Sequence, residues 1–338
     1  MKAVIYTRYG GPDVLRLADV PAPVPGDREV LIRVRAAEAT KSDCELRSFR
    51  YAVKWLWLPL RIAVGIRKPR RHVLGGYFAG EVVSVGGRVT HFAPGDQVYG
   101  SSGLSLGGYG EYVVVPERAA IAPKPRNMTF AEAAAVPLGA LNALHFMRRA
   151  RIEPGEQVLI NGAGGSIGAH AIQIARSMGG KVTAVDHPTK EDVVRRLGAA
   201  EFIDYTTADV TTTGRRFDVI FDMVAGSSYR RLIGMLEPGG RYLNGNPRMS
   251  VLARSALPTR FTGKTVTVAF APETKEALVT IAEMIEAGKI QSIVDRVYPM
   301  AEVATAHRRV ETEQRLGAVV IAIGEPDERD EPASGLGR

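Results

Sequence analysis

The sequence predicts an α/β protein in two parts, a β-rich barrel-like domain followed by a parallel doubly wound sheet. Short strand patterns crowd the first third of the chain. Strand and helix patterns alternate after Gly155, and a glycine-rich turn joins the first such strand to the first such helix.

In chain order, Met1-Lys2-Ala3-Val4-Ile5-Tyr6 starts as a strand at once. Val30-Leu31-Ile32-Arg33-Val34-Arg35-Ala36 alternates, and Gly80-Glu81-Val82-Val83-Ser84-Val85-Gly86 is bounded by turn residues. Asp96–Gly100 and Tyr109–Val115 are further short strands. The rhythm changes at Asn127-Met128-Thr129-Phe130, where Thr129 followed by Glu132 is a capping-box pattern before an alanine-rich helix. Strands then follow at Val158–Ile160, Lys181–Val185, Glu201–Tyr205, Phe217–Asp222 and Gly240–Asn244. Helices are expected after Gly168 and through Val193–Leu197. Lys264–Ala271 and a helix from Pro272 to Ala287 carry the chain onward, and Ala318–Ala322 returns to the first domain.

At 338 residues the chain has room for about two cores. No run of about 18 uncharged apolar residues exists, so no transmembrane helix is expected. The N-terminus lacks a signal-peptide pattern and Cys44 is the one cysteine, which predicts a cytoplasmic protein without disulfides. The net charge of +8 is uneven, because the stretch 325–338 holds five acids against Arg329 and Arg338. That tail is too polar to pack and is expected to be disordered. The basic body has no nucleic-acid motif, and an anionic dinucleotide explains it more simply.

Val158 to Gly168, read Val-Leu-Ile-Asn-Gly-Ala-Gly-Gly-Ser-Ile-Gly, is a strand, a turn and a helix start without a gap. Such a turn lets a pyrophosphate approach the backbone while the helix aims free N–H groups at it. The plain alternative is a tight turn with no ligand. Asp186 lies eighteen residues after Gly168. A carboxylate there accepts from ribose hydroxyls and repels a 2′-phosphate, which favours NADH.

Taken together, several separated segments resemble the medium-chain dehydrogenase/reductase superfamily, most closely its zinc-independent quinone oxidoreductase-like branch. They are Tyr9-Gly10-Gly11-Pro12, Gly80-Glu81-Val82, Gly107–Tyr112, Ala133–Gly139, the glycine turn, Gly198–Tyr205 and Gly317-Ala318-Val319-Val320. The resemblance implies a GroES-like catalytic domain over 1–126 and 266–324 and a Rossmann domain over 127–265. It implies a homodimer and a nicotinamide cofactor held by Asn142, Ala163, Gly164, Gly165, Ser166, Ile167, Gly168, Asp186, Lys190 and Tyr205. Lys190 and Tyr205 match positions that engage a ribose phosphate, so the family favours NADPH where Asp186 favours NADH; if Asp186 turns towards Lys190, NADPH prevails.

In the zinc branches, ligands come from positions that match Thr40, Gly76-Tyr77 and Pro137-Leu138-Gly139 here. Cys44 cannot replace them, since catalytic zinc needs about three protein ligands. The expected reaction is therefore zinc-free hydride transfer to a quinone or α,β-unsaturated carbonyl, with Thr40 and Tyr77 lining the cleft as donors to an oxyanion. Tyr77 stands where close relatives carry an acid, and it serves equally as an aromatic floor. A zinc-free alcohol or aldehyde reductase and a non-catalytic nucleotide-binding protein are the alternatives. Gly-x-Ser-x-Gly is absent, so hydrolase chemistry has no support.

Asp43 is expected to pair with a basic residue, and His145 and His170 to pack. His72, His91, His187 and His307 have no assigned partner. Residues 48–72 interleave Trp55, Leu56, Trp57, Leu58 and Leu60 with Arg50, Lys54, Arg61, Arg67, Lys68, Arg70 and Arg71. This composition fits a lid over a greasy mouth, a membrane-surface contact, or a solvated loop with an aromatic anchor.

Overall fold

The computed structural model describes residues 1–50, 61–62, 64–245 and 263–324. The tail 325–338 lies outside them, as do 51–60 and 63 of the basic aromatic segment. Of that segment, Arg61 stacks its guanidinium over Phe49 at 4.0 Å and over Tyr9 at 4.6 Å. Among the described residues, no helix is long and apolar enough to cross a membrane.

β1 (Lys2–Ile5) pairs antiparallel with β2 (Arg16–Asp19). The spine of the first domain is β3 (Glu29–Ala39), whose Val30, Ile32 and Val34 point inward and are at most 1% exposed. β4 (Tyr77–Val85) runs along one edge of β3, with β5 (Gln97–Ser101) beyond it. β6 (Tyr112–Pro116) pairs with Glu29–Arg33 on the other edge, and β7 (Ile121–Pro123) pairs with β5.

The parallel sheet is built from β8 (Gln157–Asn161), β9 (Lys181–Asp186), β10 (Glu201–Asp204), β11 (Phe217–Asp222), β12 (Leu236–Asn244) and β13 (Thr265–Val268). Its order is β10-β9-β8-β11-β12-β13, the doubly wound 3-2-1-4-5-6 arrangement. Strands buried on both faces read as continuous apolar runs. Val158, Leu159 and Ile160 of β8 are each 0% exposed. Val158 and Ile160 join the core on one face and Leu159 the core on the other. The order reverses between β8 and β11, which opens a crevice at their carboxyl ends.

β14 (Val294–Pro299) and β15 (Ala318–Ala322) return to the antiparallel sheet, where β15 pairs with Ala36–Ala39 of β3, in line with β6. Two boundaries shift from expectation. The cut at 265/266 falls inside β13, whose Thr265–Val268 pair in parallel with Arg241–Asn244. The short helix Phe130–Ala134 packs on β3 and β4, so the antiparallel part extends past the expected boundary at 127. It carries the expected capping box between Thr129 and Glu132. One apolar cluster joins the domains, running from the parallel sheet to Ala36, Ala79 and Tyr99.

Candidate functional site

The glycine turn sits at the switch-point crevice. Gly162 takes φ +86° to leave β8, and the helix Ser166–Ser177 begins with Gly165 as its N-cap and no side chain capping it. No side chain therefore takes up its first N–H groups, and the backbone of Gly317 bridges to Gly165 beside them. The glycines have different reasons. A Cβ on Gly168 would overlap the Gly162 carbonyl oxygen and lie 2.7 Å from the Ala163 Cα, so helix and turn touch only because it is absent. A Cβ on Gly165 would meet nothing closer than the Gly162 oxygen at 3.7 Å, and the φ of −77° suits any residue. Nothing among the described residues requires glycine there, which leaves room for a ligand to lie on the backbone. The turn thus fits a dinucleotide pyrophosphate.

Ala163, Gly164, Ser166 and Gly168 are buried, while Gly165 and Ile167 face the open side. Gly139, on the neighbouring helix Pro137–Ala150, lets that helix press against the first turn: a Cβ there would lie 2.5 Å from Ser166 Oγ. His170 donates its Nδ1–H to the Ser166 carbonyl at 2.7 Å, since a carbonyl can only accept. Its bare Nε2 is buried with no partner among the described residues, and burial lowers the ring's pKa. This is the expected packing histidine.

Asp186 closes β9 beneath the turn. Its carboxylate accepts from Gly164 N and from His187 N, both at 2.7 Å, and pairs with Lys190 Nζ at 2.9 Å. The side chains of Asp186 and Lys190 are each 7% exposed. Asp186 has thus turned towards Lys190, and its charge is balanced inside the protein. Tyr205 lies exposed, edge-on to His187 with ring centres 6.0 Å apart. Asn142 donates to the Leu138 carbonyl at 2.9 Å, one helical turn back.

The two expected oxyanion donors are both committed. Thr40 is 2% exposed and caps the helix Lys41–Ser48: its hydroxyl donates to Asp43 Oδ2 at 2.6 Å while accepting from Asp43 N at 3.0 Å. Asp43 also accepts from Gly75 N at 3.0 Å, so backbone amides and a hydroxyl hold it where a basic residue was expected. The Thr-x-x-Asp spacing was the legible signal for this cap. Tyr77 donates to Glu273 Oε1 at 2.5 Å. Burial first, and Glu273 second, raise the phenol's pKa, so it stays protonated.

Sequence reasoning missed the support behind Thr40. Arg47 Nη1 donates to His307 Nδ1 at 3.0 Å. Because guanidinium only donates, Nδ1 is bare and Nε2–H donates to the Tyr109 hydroxyl at 3.1 Å. Arg47 also pairs with Glu311, and Cys44 Sγ lies 3.3 Å from Nδ1. Burial pushes the Cys44 thiol up to about 12, which makes it inert. Burial, then Arg47, pushes His307 down to about 3.

His307 thus folds neutral, and the unfolded chain binds the extra proton below about pH 6.5. Its stabilisation is complete above that pH and falls by about 1.4 kcal/mol per unit as pH drops towards 3. Denaturant unfolding at pH 7 and pH 5 is expected to differ by about 2 kcal/mol from this group. His307→Gln should remove that part of the difference; an unchanged slope would exclude His307 as its source.

A loop ties the halves together over the turn. Gly317 N donates to Gly164 O at 2.9 Å, Lys190 Nζ donates to Glu313 O at 3.3 Å, and Lys41 pairs with Glu313. The presumed zinc positions hold Thr40, Gly76-Tyr77 and Pro137-Leu138-Gly139, without thiol or imidazole. Among the described residues, no three His, Cys, Asp or Glu side chains are grouped to hold a metal.

Two family models match the chain. The alcohol dehydrogenase GroES-like domain covers residues 26–126, and the zinc-binding dehydrogenase domain covers 197–321. The NADPH-dependent alkenal/one oxidoreductase of Arabidopsis thaliana chloroplasts is 31% identical over 334 residues, spanning 95% of this chain and 79% of its own length. The quinone oxidoreductase of Coxiella burnetii superposes with a TM-score of 0.84 at 26% identity, over 96% of this chain and 99% of its own. An NAD-dependent alcohol dehydrogenase superposes with a TM-score of 0.80 at 30% identity, over 96% and 100%.

Proposed function

Because the chain belongs to the medium-chain dehydrogenase/reductase superfamily, in its quinone oxidoreductase-like branch, we propose that it reduces quinones or α,β-unsaturated carbonyls with NADPH and without zinc. The observation that carries this reading is the open backbone at Gly165, at the start of a helix that no side chain caps.

The bound dinucleotide supplies hydride, and the protein supplies binding, orientation and a proton-rich pocket. The uncapped helix start would hold the pyrophosphate. The Asp186–Lys190 pair beneath the turn would meet the adenosine end, and the balanced carboxylate supports NADPH over NADH. Tyr77 is the donor nearest to release: its proton is shared with one exposed carboxylate, Glu273, whereas Thr40 is buried in its cap. An acceptor oxygen that gains charge competes with Glu273 for that proton. For a quinone or enone this hydrogen bond would stabilise the charge that hydride brings, and one proton must still be added to complete the reduction.

The test is loss of the reduced-nicotinamide absorbance with a panel of quinones, enones, simple aldehydes and alcohols, with and without a chelator. Quinones and enones should turn over, insensitive to chelation, and simple aldehydes at least about tenfold more slowly. Preference for aldehydes would favour the alcohol dehydrogenase reading, and chelator-abolished activity would overturn zinc independence. Tyr77→Phe should lower kcat/KM by about a hundredfold with NADPH affinity unchanged; unaltered turnover would remove Tyr77 from the chemistry.

A further inference from the structure

Glu38 is a buried acid that the description so far leaves without a role. It lies on β3 two residues before Thr40, so both point to the same side of the extended chain. It is 1% exposed, and its Oε2 has no hydrogen-bond partner among the described residues. Ser166 faces it from the first turn of the dinucleotide helix, is 4% exposed, and lies within loose hydrogen-bonding reach of the Glu38 carboxyl, whose pKa it lowers, though its hydroxyl makes no well-formed bond among the described residues. Two buried polar groups without a well-formed bond therefore meet where the antiparallel sheet touches the glycine turn. Native proteins leave few such atoms, and those they leave call for a functional reason.

The groups around Glu38 come from every neighbouring element. Arg315 comes from the loop before β15, Asp43 from the helix Lys41–Ser48, Tyr77 from β4, and Tyr109 from the loop before β6. Arg315 attracts the carboxylate but forms no ion pair with it among the described contacts, and its Nε is buried without a partner. Asp43 repels it. Burial dominates and holds the Glu38 carboxyl well above the usual range.

We propose that Glu38 is the proton-carrying group of this cleft, protonated beside reduced dinucleotide and ionised beside the oxidised, cationic form. The inference rests on the dinucleotide reading above. An opposite charge within a few ångström lowers a carboxyl's pKa by about one to three units. In turnover the Glu38 O–H bond breaks and its electron pair stays on the carboxylate. The proton adds to the acceptor beside the carbon that took hydride, so one hydride and one proton saturate one double bond. The buried pocket gains no net charge, and water returns the proton once the oxidised cofactor has left.

Titration calorimetry of the intact protein with NADP⁺ and with NADPH, in two buffers of different ionisation enthalpy, counts the protons released. NADP⁺ should release up to about one proton more than NADPH near neutral pH, and its affinity should rise up to about tenfold per pH unit while that of NADPH does not. Glu38→Gln should abolish the difference with NADPH affinity held within about threefold, and Glu38→Asp should keep it. Equal counts for both nucleotides in the unmodified protein, or an undiminished difference in Glu38→Gln, overturn the proposal. Should Glu38→Gln fail to fold, the unmodified protein and Glu38→Asp decide. Binding of neither nucleotide defeats the dinucleotide reading itself, whereas binding of both with equal counts defeats only the role of Glu38.

Discussion

Gly165→Ala is expected to weaken dinucleotide binding about a hundredfold, some 2.7 kcal/mol, while costing the fold only about 0.5 kcal/mol. The new methyl meets no protein atom nearer than 3.7 Å and so occupies space that only a ligand claims. Gly168→Ala, three residues on, is expected to behave in the opposite way. Its Cβ collides with the Gly162 carbonyl and lies 2.7 Å from the Ala163 Cα. Backbone on both sides must move, at about 3 kcal/mol, against the roughly 1 kcal/mol that alanine gains over glycine in a helix. Thermal melts and nucleotide titrations of the two variants check this together. If Gly165→Ala lowered the melting temperature as much as Gly168→Ala without touching affinity, the segment would be a tight turn and no more.

Lys190→Met is expected to destabilise the protein by about 3–5 kcal/mol, because it strands the Asp186 charge in the interior. Both side chains are 7% exposed, and the remaining partners of Asp186 are two backbone amides. Asp186→Asn together with Lys190→Met should recover part of the loss, and the double-mutant cycle should give coupling well above about 0.5 kcal/mol. The same variants report on cofactor choice. Lys190→Met should lose more affinity for NADPH than for NADH, since it removes the cation and frees a carboxylate to repel a 2′-phosphate. Equal losses for both nucleotides would place the 2′-phosphate contact elsewhere.

Local chemistry was legible wherever one segment suffices to state it. Val158-Leu159-Ile160 declared a strand buried on both faces, and the glycines after it declared the turn. Thr129 and Glu132 declared a cap that the structure contains. The Ala318–Ala322 run was placed correctly as a return to the first sheet. The same local view overlooked β14 and the helix Val303–Glu311, whose mixed patterns become faces only against their neighbours. It also set a domain boundary inside β13, because Thr265–Val268 alternates as an edge strand of either sheet would.

The residue roles divide along the same line. Sequence by itself determined the two-part architecture, the glycine turn between β8 and its helix, and the residue types at the positions the zinc branches use, since each follows from residue types at short spacing. The tertiary structure decided that Asp186 pairs with Lys190, that the Thr40 hydroxyl donates its hydrogen bond to Asp43, and that the Tyr77 hydroxyl donates to Glu273, 196 residues away. It also brought Glu38 against Ser166 across the seam between the sheets. Hydrogen bonds and ion pairs depend on distances of about 3 Å between groups, and only the folded path of the chain sets those distances for residues far apart in sequence.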